Sequence, residues 1–187
     1  SALRTPHSVD PANRLLWRMN RRRLDLEAMR DSLLAISGRL EEQIGGRPVD
    51  IVGDPKNGRR TVYGLIDRQS LPGLYRAFDF ANPDQSAARR PKTTTPQQAL
   101  FGMNSPFIIE QAKSLAARPE VSSESGPDRR IAALYRLVLL REPDAEESQA
   151  ARDFLAAVAQ DEGESQLDAW QQLAQVLLLT NELMFVD

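Results

Sequence analysis

The sequence predicts a mainly α-helical fold: a long N-terminal helix, a helical bundle and one small β-hairpin. Three observations carry this. Apolar residues recur at steps of four and three from Leu15 to Leu40, the spacing of one helical face. Proline repeatedly follows a good capping residue, at Asp10-Pro11, Thr95-Pro96 and Ser105-Pro106, the punctuation of helix starts. Only two short runs, 49–52 and 60–66, are rich in β-branched and aromatic residues, and turn chemistry separates them.

The first element is "VDPANRLLWRMNRRRLDLEAMRDSLLAISGRL". Asp10 caps it, and Pro11 takes the first helical position. Its stripe runs Leu15, Met19, Arg22, Leu26, Met29, Leu33, Ile36, Leu40. Unbroken, the helix is about 45 Å long at ~1.5 Å per residue, unless Gly38 ends it sooner. Arg22 stands where an apolar residue is expected, and a buried arginine needs a carboxylate or carbonyl partner.

Gly45-Gly46 and Pro48 end that element. "VDIV" and "RTVYGLI" then read as a hairpin around the turn "GDPKNGR". Gly64 within the second run marks a bulge or a close backbone approach. Residues 71–95 are irregular, with one short helix through Leu71, Leu74, Tyr75 and Phe78 and an Asn-Pro-Asp turn after "FDFA". Loops of this length are functional or tightly packed.

"RRPKTTTPQQALFGMNSPF" (89–107) resolves into two helix starts. Thr95 caps, Pro96 begins, and Gln98 closes a capping box. Asn104 is suited to a left-handed helix end, and Ser105-Pro106 starts "PFIIEQAKSLAAR". "PEVSSESGPD" (119–128) has the composition of a linker. Three helices follow. The first carries Ile131, Leu134, Tyr135, Val138 and Leu139 on one face. The second is capped by Asp144 with Glu147 three residues on, and the third by Ser165, with Trp170, Leu173, Leu177 and Leu178 on its face. Two regions result: 1–118, with the long helix, hairpin and capped helices, and 119–187, an acidic three-helix layer packed on it.

The chain has 187 residues, no cysteine and one histidine, His7, in a tail expected to be disordered. Disulfides, thiolate metal sites and a C-x-x-C-H haem attachment are thereby excluded from this segment, and a histidine-based triad is disfavoured. No apolar run approaches the ~20 residues of a membrane span. "SALRTPHSVDP" lacks the apolar core of a signal peptide, which fits a cytoplasmic protein or a piece of an exported one. Residues 1–118 carry 19 Lys and Arg against 12 Asp and Glu, a balance of +7, and residues 119–187 carry 5 against 14, or −9. Arginine outnumbers lysine 21 to 3. Codon preference accounts for that as well as chemistry does, though arginine suits bidentate pairing with carboxylates.

No catalytic motif occurs, which leans against an enzyme and towards a structural or interaction module but leaves both readings open. The acid pairs Glu41-Glu42, Glu146-Glu147 and Asp161-Glu162 suit helix ends and exposed faces better than a dyad. "DPKNG" falls short of a calcium loop. "RMNRRR" suggests phosphate tracking, but Asp25, Glu27 and Asp31 follow at once and favour internal pairing; nucleic acid is not expected as a partner. The outstanding constellation is Arg22, Arg60, Arg68, Asp79, Arg89, Arg90, Gln97 and Asn104. Asp79, between Phe78 and Phe80, is expected to pair with an arginine and pin the irregular segment onto the long helix. The alternative is an enzyme or an anion- or sugar-binding unit with its site around Asp79, Arg90 and Asn104. If Asp79→Ala strands a buried arginine, it costs ~3–5 kcal/mol.

The phrases "LLWRMNRRRLDLEAMRDSLLAISGRL", "RRTVYGLIDR", "FDFANPDQSAARR", "TTTPQQALFGMNSPFIIEQA", "ALYRLVLLREPDAEE" and "LLLTNELMFVD" together resemble, in order and spacing, one family. It is the C-terminal domain of unknown function of planctomycete-specific exported proteins that carry an upstream cytochrome-c-like module. The resemblance covers nearly the whole chain, and the family's domain begins further upstream. It implies a periplasmic or cell-surface location and a helical accessory domain. Other domains of the same polypeptide are the implied partners, with a polysaccharide or another protein as a further one. It implies no cofactor in this segment, haem being confined to the upstream module, and it supplies no reaction.

Overall fold

The computed structural model describes residues 6–160, 163 and 165–186. The protein is mainly α-helical, with one antiparallel strand pair. A short helix α1 (Pro6–Val9), which includes His7, precedes an irregular arch. Strand β1 (Arg22–Arg23) leads into α2 (Leu26–Ile36).

The expected long helix is therefore reduced to its second half. The chain takes a positive φ at Asn13 (53°) and Leu16 (54°), which no continuing right-handed helix allows. Asp10 and Asn13 supply the cause, because short polar side chains compete for backbone groups. Asp10 Oδ2 accepts from Leu15 N at 2.7 Å, and Asn13 Nδ2 donates to the Arg18 carbonyl at 2.8 Å. Leu26, Met29, Leu33 and Leu34 do bury, and α2 stops where Gly38 takes φ 75°.

The expected hairpin does not form. Segments 41–49 and 59–64 meet only in two isolated parallel bridges, Glu41 with Arg59 and Val49 with Gly64. Thr61–Tyr63 is a 3-10 turn. Side chains of α2 decide this. Asp31 Oδ1 accepts from both the Thr61 amide and its hydroxyl, each at 2.7 Å. Arg30 donates to the carbonyls of Arg59 (2.7 Å) and Asn57 (2.6 Å). The Thr61 amide, its one proton given to a side chain, is withdrawn from any strand ladder. The strand pair instead joins distant parts of the chain, Arg22 opposite Val186 and Arg23 opposite Phe185.

Residues 71–95 contain one short helix, α3 (Gly73–Ala77), with Tyr75 and Phe78 buried, and the Asn-Pro-Asp turn. Next come α4 (Pro96–Asn104) and α5 (Pro106–Ala117), both beginning at the expected prolines. Asn104 ends α4 without the left-handed conformation. Ser105 turns the chain extended at once, and its hydroxyl caps α5 by accepting from Phe107 N at 3.2 Å. In the α4 cap, Gln98 Oε1 accepts from Thr95 N at 3.2 Å, whereas the Thr95 hydroxyl is buried without a hydrogen-bond partner.

The segment with linker composition is packed structure. It forms α6 (Pro119–Ser122), whose Val121 is fully buried, and leads into α7 (Pro127–Leu139). After α7 come α8 (Ala145–Gln160), α9 (Ala169–Leu178), α10 (Asn181–Met184) and β2 (Phe185–Val186). Asp144 and Glu147 exchange both capping bonds, at 2.8 and 2.9 Å. The cap of α9 is Asp168 with Gln171, three residues beyond Ser165. Buried Leu167 turns the chain inward first, and Ser165 Oγ accepts from Leu167 N and Gln172 Nε2, each at 3.2 Å. Helix α5 is the centre: Phe107, Ile108, Ala112 and Leu115 meet Leu173, Ala174, Leu177 and Leu178 of α9 in one core that also takes in α2 and α7.

Candidate functional site: an arginine-lined cleft

Because β2 pairs with β1, the chain's end lies beside the arginine run 21–23, and the threonine segment 91–94 closes the opposite side. Between them is an open cleft of about 910 Å³. Its cationic side chains are Arg18, Arg21, Arg22, Arg23, Arg89 and Lys92, against the carboxylates of Asp25 and Asp79. Arg22, Arg89 and Lys92 are exposed and form no ion pair among the described residues. Arg22 thus leaves the core position expected of it, because the stripe that would have buried it is not helical.

Asp79 departs from expectation too. Its oxygens accept from Thr93 N at 2.7 Å and Thr93 Oγ1 at 2.8 Å, and it forms no ion pair among the described residues. Its φ of 58° belongs to the left-handed region, where Asp and Asn are among the few tolerated side chains. The carboxylate is therefore a turn-fastener that shapes the cleft wall. Arg23 adds a second fastener, donating to the Thr93 carbonyl at 3.3 Å and to Gln98 Oε1 while lying over the Phe78 ring.

The remaining residues of the expected constellation are dispersed. Arg90 pairs with Glu27 of α2 at 2.8 Å and stacks on Phe80, 4.7 Å from the ring centroid. Arg60 pairs with Asp31 at 3.1 Å. Arg68 is exposed on the loop before α3. Gln97 and Asn104 lie on a different, largely apolar groove of about 830 Å³ that also includes Leu26, Met29 and Leu100. Asp79, Arg90 and Asn104 therefore do not share one cleft. Of the acid pairs, Glu41-Glu42 is exposed, Glu146-Glu147 opens α8, and Asp161-Glu162 lies outside the described residues.

Sequence reasoning missed Leu16 and Met19, which line the cleft although Met19 was placed on the buried stripe and Leu16 was given no role. The consecutive apolar run Leu15-Leu16-Trp17 is the signal that a single seam does not explain. It also missed Arg30, only 2% exposed, which has no carboxylate hydrogen-bond partner among the described residues and rests on two carbonyls, the Thr61 hydroxyl and the Phe107 ring. Burial lowers its pKa, opposed by the charge of neighbouring Asp31.

Chemically, the cleft can attract and orient an anion. Guanidinium groups offer planar, paired donors that suit carboxylates or sulfates. Among the described residues, no group of three or more His, Cys, Asp and Glu is placed to hold a metal ion. No described helix is long and apolar enough to cross a membrane.

The fold and cleft define a mainly α-helical, arginine-fastened domain with a cationic cleft. The family described as PSD1, protein of unknown function (DUF1553), matches residues 2–155, and the chain belongs to that family. No curated protein and no solved structure matches the chain.

Proposed function

We propose that this chain is a non-catalytic interaction module of a larger exported protein, and that its arginine-lined cleft holds a polyanionic partner. The observation that carries the reading is the set Arg22, Arg89 and Lys92, exposed and unpaired around one cleft while other arginines are engaged in internal bonds. Unpaired like charges held close together repel one another, so an anion that neutralises them binds favourably. Of the two carboxylates lining the cleft, Asp79 has both oxygens committed to Thr93, which makes it part of the cleft's framework. The family resemblance supports an extracytoplasmic setting, with other domains of the same polypeptide within reach and haem carried upstream.

The test immobilises the chain and measures binding of acidic polysaccharides and of the remaining domains of the full-length protein. Haem spectroscopy on the full-length protein runs alongside. Binding that weakens with salt and is lost in Arg22→Glu/Arg89→Glu supports the reading. Absence of any binding at low ionic strength, or turnover of a panel compound, overturns it.

A further inference from the structure

We infer that the cleft's occupant is an acidic polypeptide segment that interleaves carboxylates with aliphatic side chains. This rests on the reading of the cleft as an anion-binding surface and goes on to name the class of partner. The charge term is shared by any polyanion: six cationic side chains face two carboxylates. What separates the classes is the apolar part of the same surface. Leu16, Met19 and Val186 line the cleft beside the free guanidinium groups. Leu16 is 74% exposed and Met19 73%, with Leu15 next to them at 77%. Scattered exposed leucines are ordinary, but apolar side chains gathered at one charged cleft mark a protein-contact site. Arginine and methionine are the residues enriched at such contacts.

An acidic polysaccharide would meet the arginines and leave these aliphatic groups in water. A segment carrying Glu or Asp next to Leu, Ile or Val would satisfy both at once. The apolar contacts would supply affinity, and the arginines would supply orientation and rate of encounter. The exposed aliphatic residues sit on the arch that Asp10 and Asn13 hold out of the helix, so the same local bonds that break the helix present this surface.

The test uses the full 187-residue chain and three fluorescent probes at matched low salt: a short glutamate–leucine peptide, a poly-glutamate peptide of equal length, and an oligogalacturonate. The glutamate–leucine peptide is expected to bind about tenfold more tightly than either other probe. Leu16→Ser/Met19→Ser should remove that advantage while leaving poly-glutamate binding unchanged. Arg22→Glu/Arg89→Glu should weaken every probe, with circular dichroism melts confirming that each variant folds. Should a pair fail to fold, Lys92→Glu and Met19→Ser singly take its place. Oligogalacturonate binding as tightly as the mixed peptide, or Leu16→Ser/Met19→Ser leaving the peptide's advantage intact, would overturn this inference but leave the anion-binding reading standing. If no probe binds, both fall.

Discussion

Arg90 Nη1 donates to both carboxylate oxygens of Glu27, at 2.8 and 3.0 Å, across 63 positions of the sequence. This one contact ties the irregular segment 79–95 to α2. It performs the clamping that the sequence reading assigned to Asp79, from the other end of the loop.

Both partners are partly exposed, 36% for Arg90 and 28% for Glu27, so water screens the pair. Arg90→Ala should lower stability by about 1 kcal/mol, including loss of the stacking on Phe80. A double-mutant cycle with Glu27→Gln in urea denaturation should return a coupling of about 0.5–1 kcal/mol. Zero coupling would mean that this ion pair does not hold the loop, leaving packing and the bonds to Thr93.

Asp79→Ala strands no arginine and should cost about 1–2 kcal/mol, the loss of two bonds to Thr93 plus backbone strain at positive φ. Asp79→Gly relieves the strain and should be the milder of the two. Thermal melts that rank alanine above glycine would contradict the left-handed backbone at this site.

Gly64 sits against the side chain of Tyr75: a Cβ there would come within 2.7 Å of the Tyr75 hydroxyl and 2.9 Å of Ile51 Cδ1. Gly64→Ala should therefore cost about 1–3 kcal/mol by overpacking. The Tyr75 hydroxyl is buried without a hydrogen-bond partner, so Tyr75→Phe should be close to neutral and should partly rescue Gly64→Ala. Equal loss in the single and double variants would place the strain on Ile51 instead.

Arg141 bridges Glu147 of α8 (2.6 Å) and Glu182 of α10 (2.7 Å). Its hydrogen bonds hold the Glu147 carboxyl down at about 2, below the ordinary 4.5, and lower Glu182 as well. A carboxyl whose folded pKa lies below its unfolded one stabilises fully above the unfolded value, and that stability is lost as pH falls through the folded value. The contribution should thus be complete above about pH 4.5 and decline towards pH 2. Glu147→Gln should flatten that limb of the melting-temperature profile. An unchanged profile would show that solvent screening has removed the effect.

Much of the helical content was legible because its signals are local. Thr95-Pro96, Ser105-Pro106 and the Asp144–Glu147 box act within about one turn. The face Ile131, Leu134, Tyr135, Val138 is buried apart from any finer detail of its neighbours. The approach of Gly64 to a neighbouring side chain was also readable, since a glycine amid bulky residues makes room for something.

Other features belong to residues far apart in sequence. The stripe from Leu15 to Leu40 had the right spacing throughout, yet a stripe becomes helix only where another surface covers it. That holds for Leu26 to Leu34, and it fails at Leu15 to Met19, which Asp10 and Asn13 hold in turns. The run 60–66 had strand-like residues, but Asp31 claims the Thr61 amide within it, and Arg30 holds the carbonyls of Arg59 and Asn57 just before it. Arg22 and Arg89 were singled out by residue type; what ties their segments together at one cleft is the bond from Arg23 to the Thr93 carbonyl. The helix starts at Pro96, Pro106 and Ala145 were therefore settled by the sequence alone. Which polar groups are consumed internally, and which remain open to a partner, was decided by tertiary contacts, because hydrogen-bond capacity is limited and the nearest competitor in space takes it.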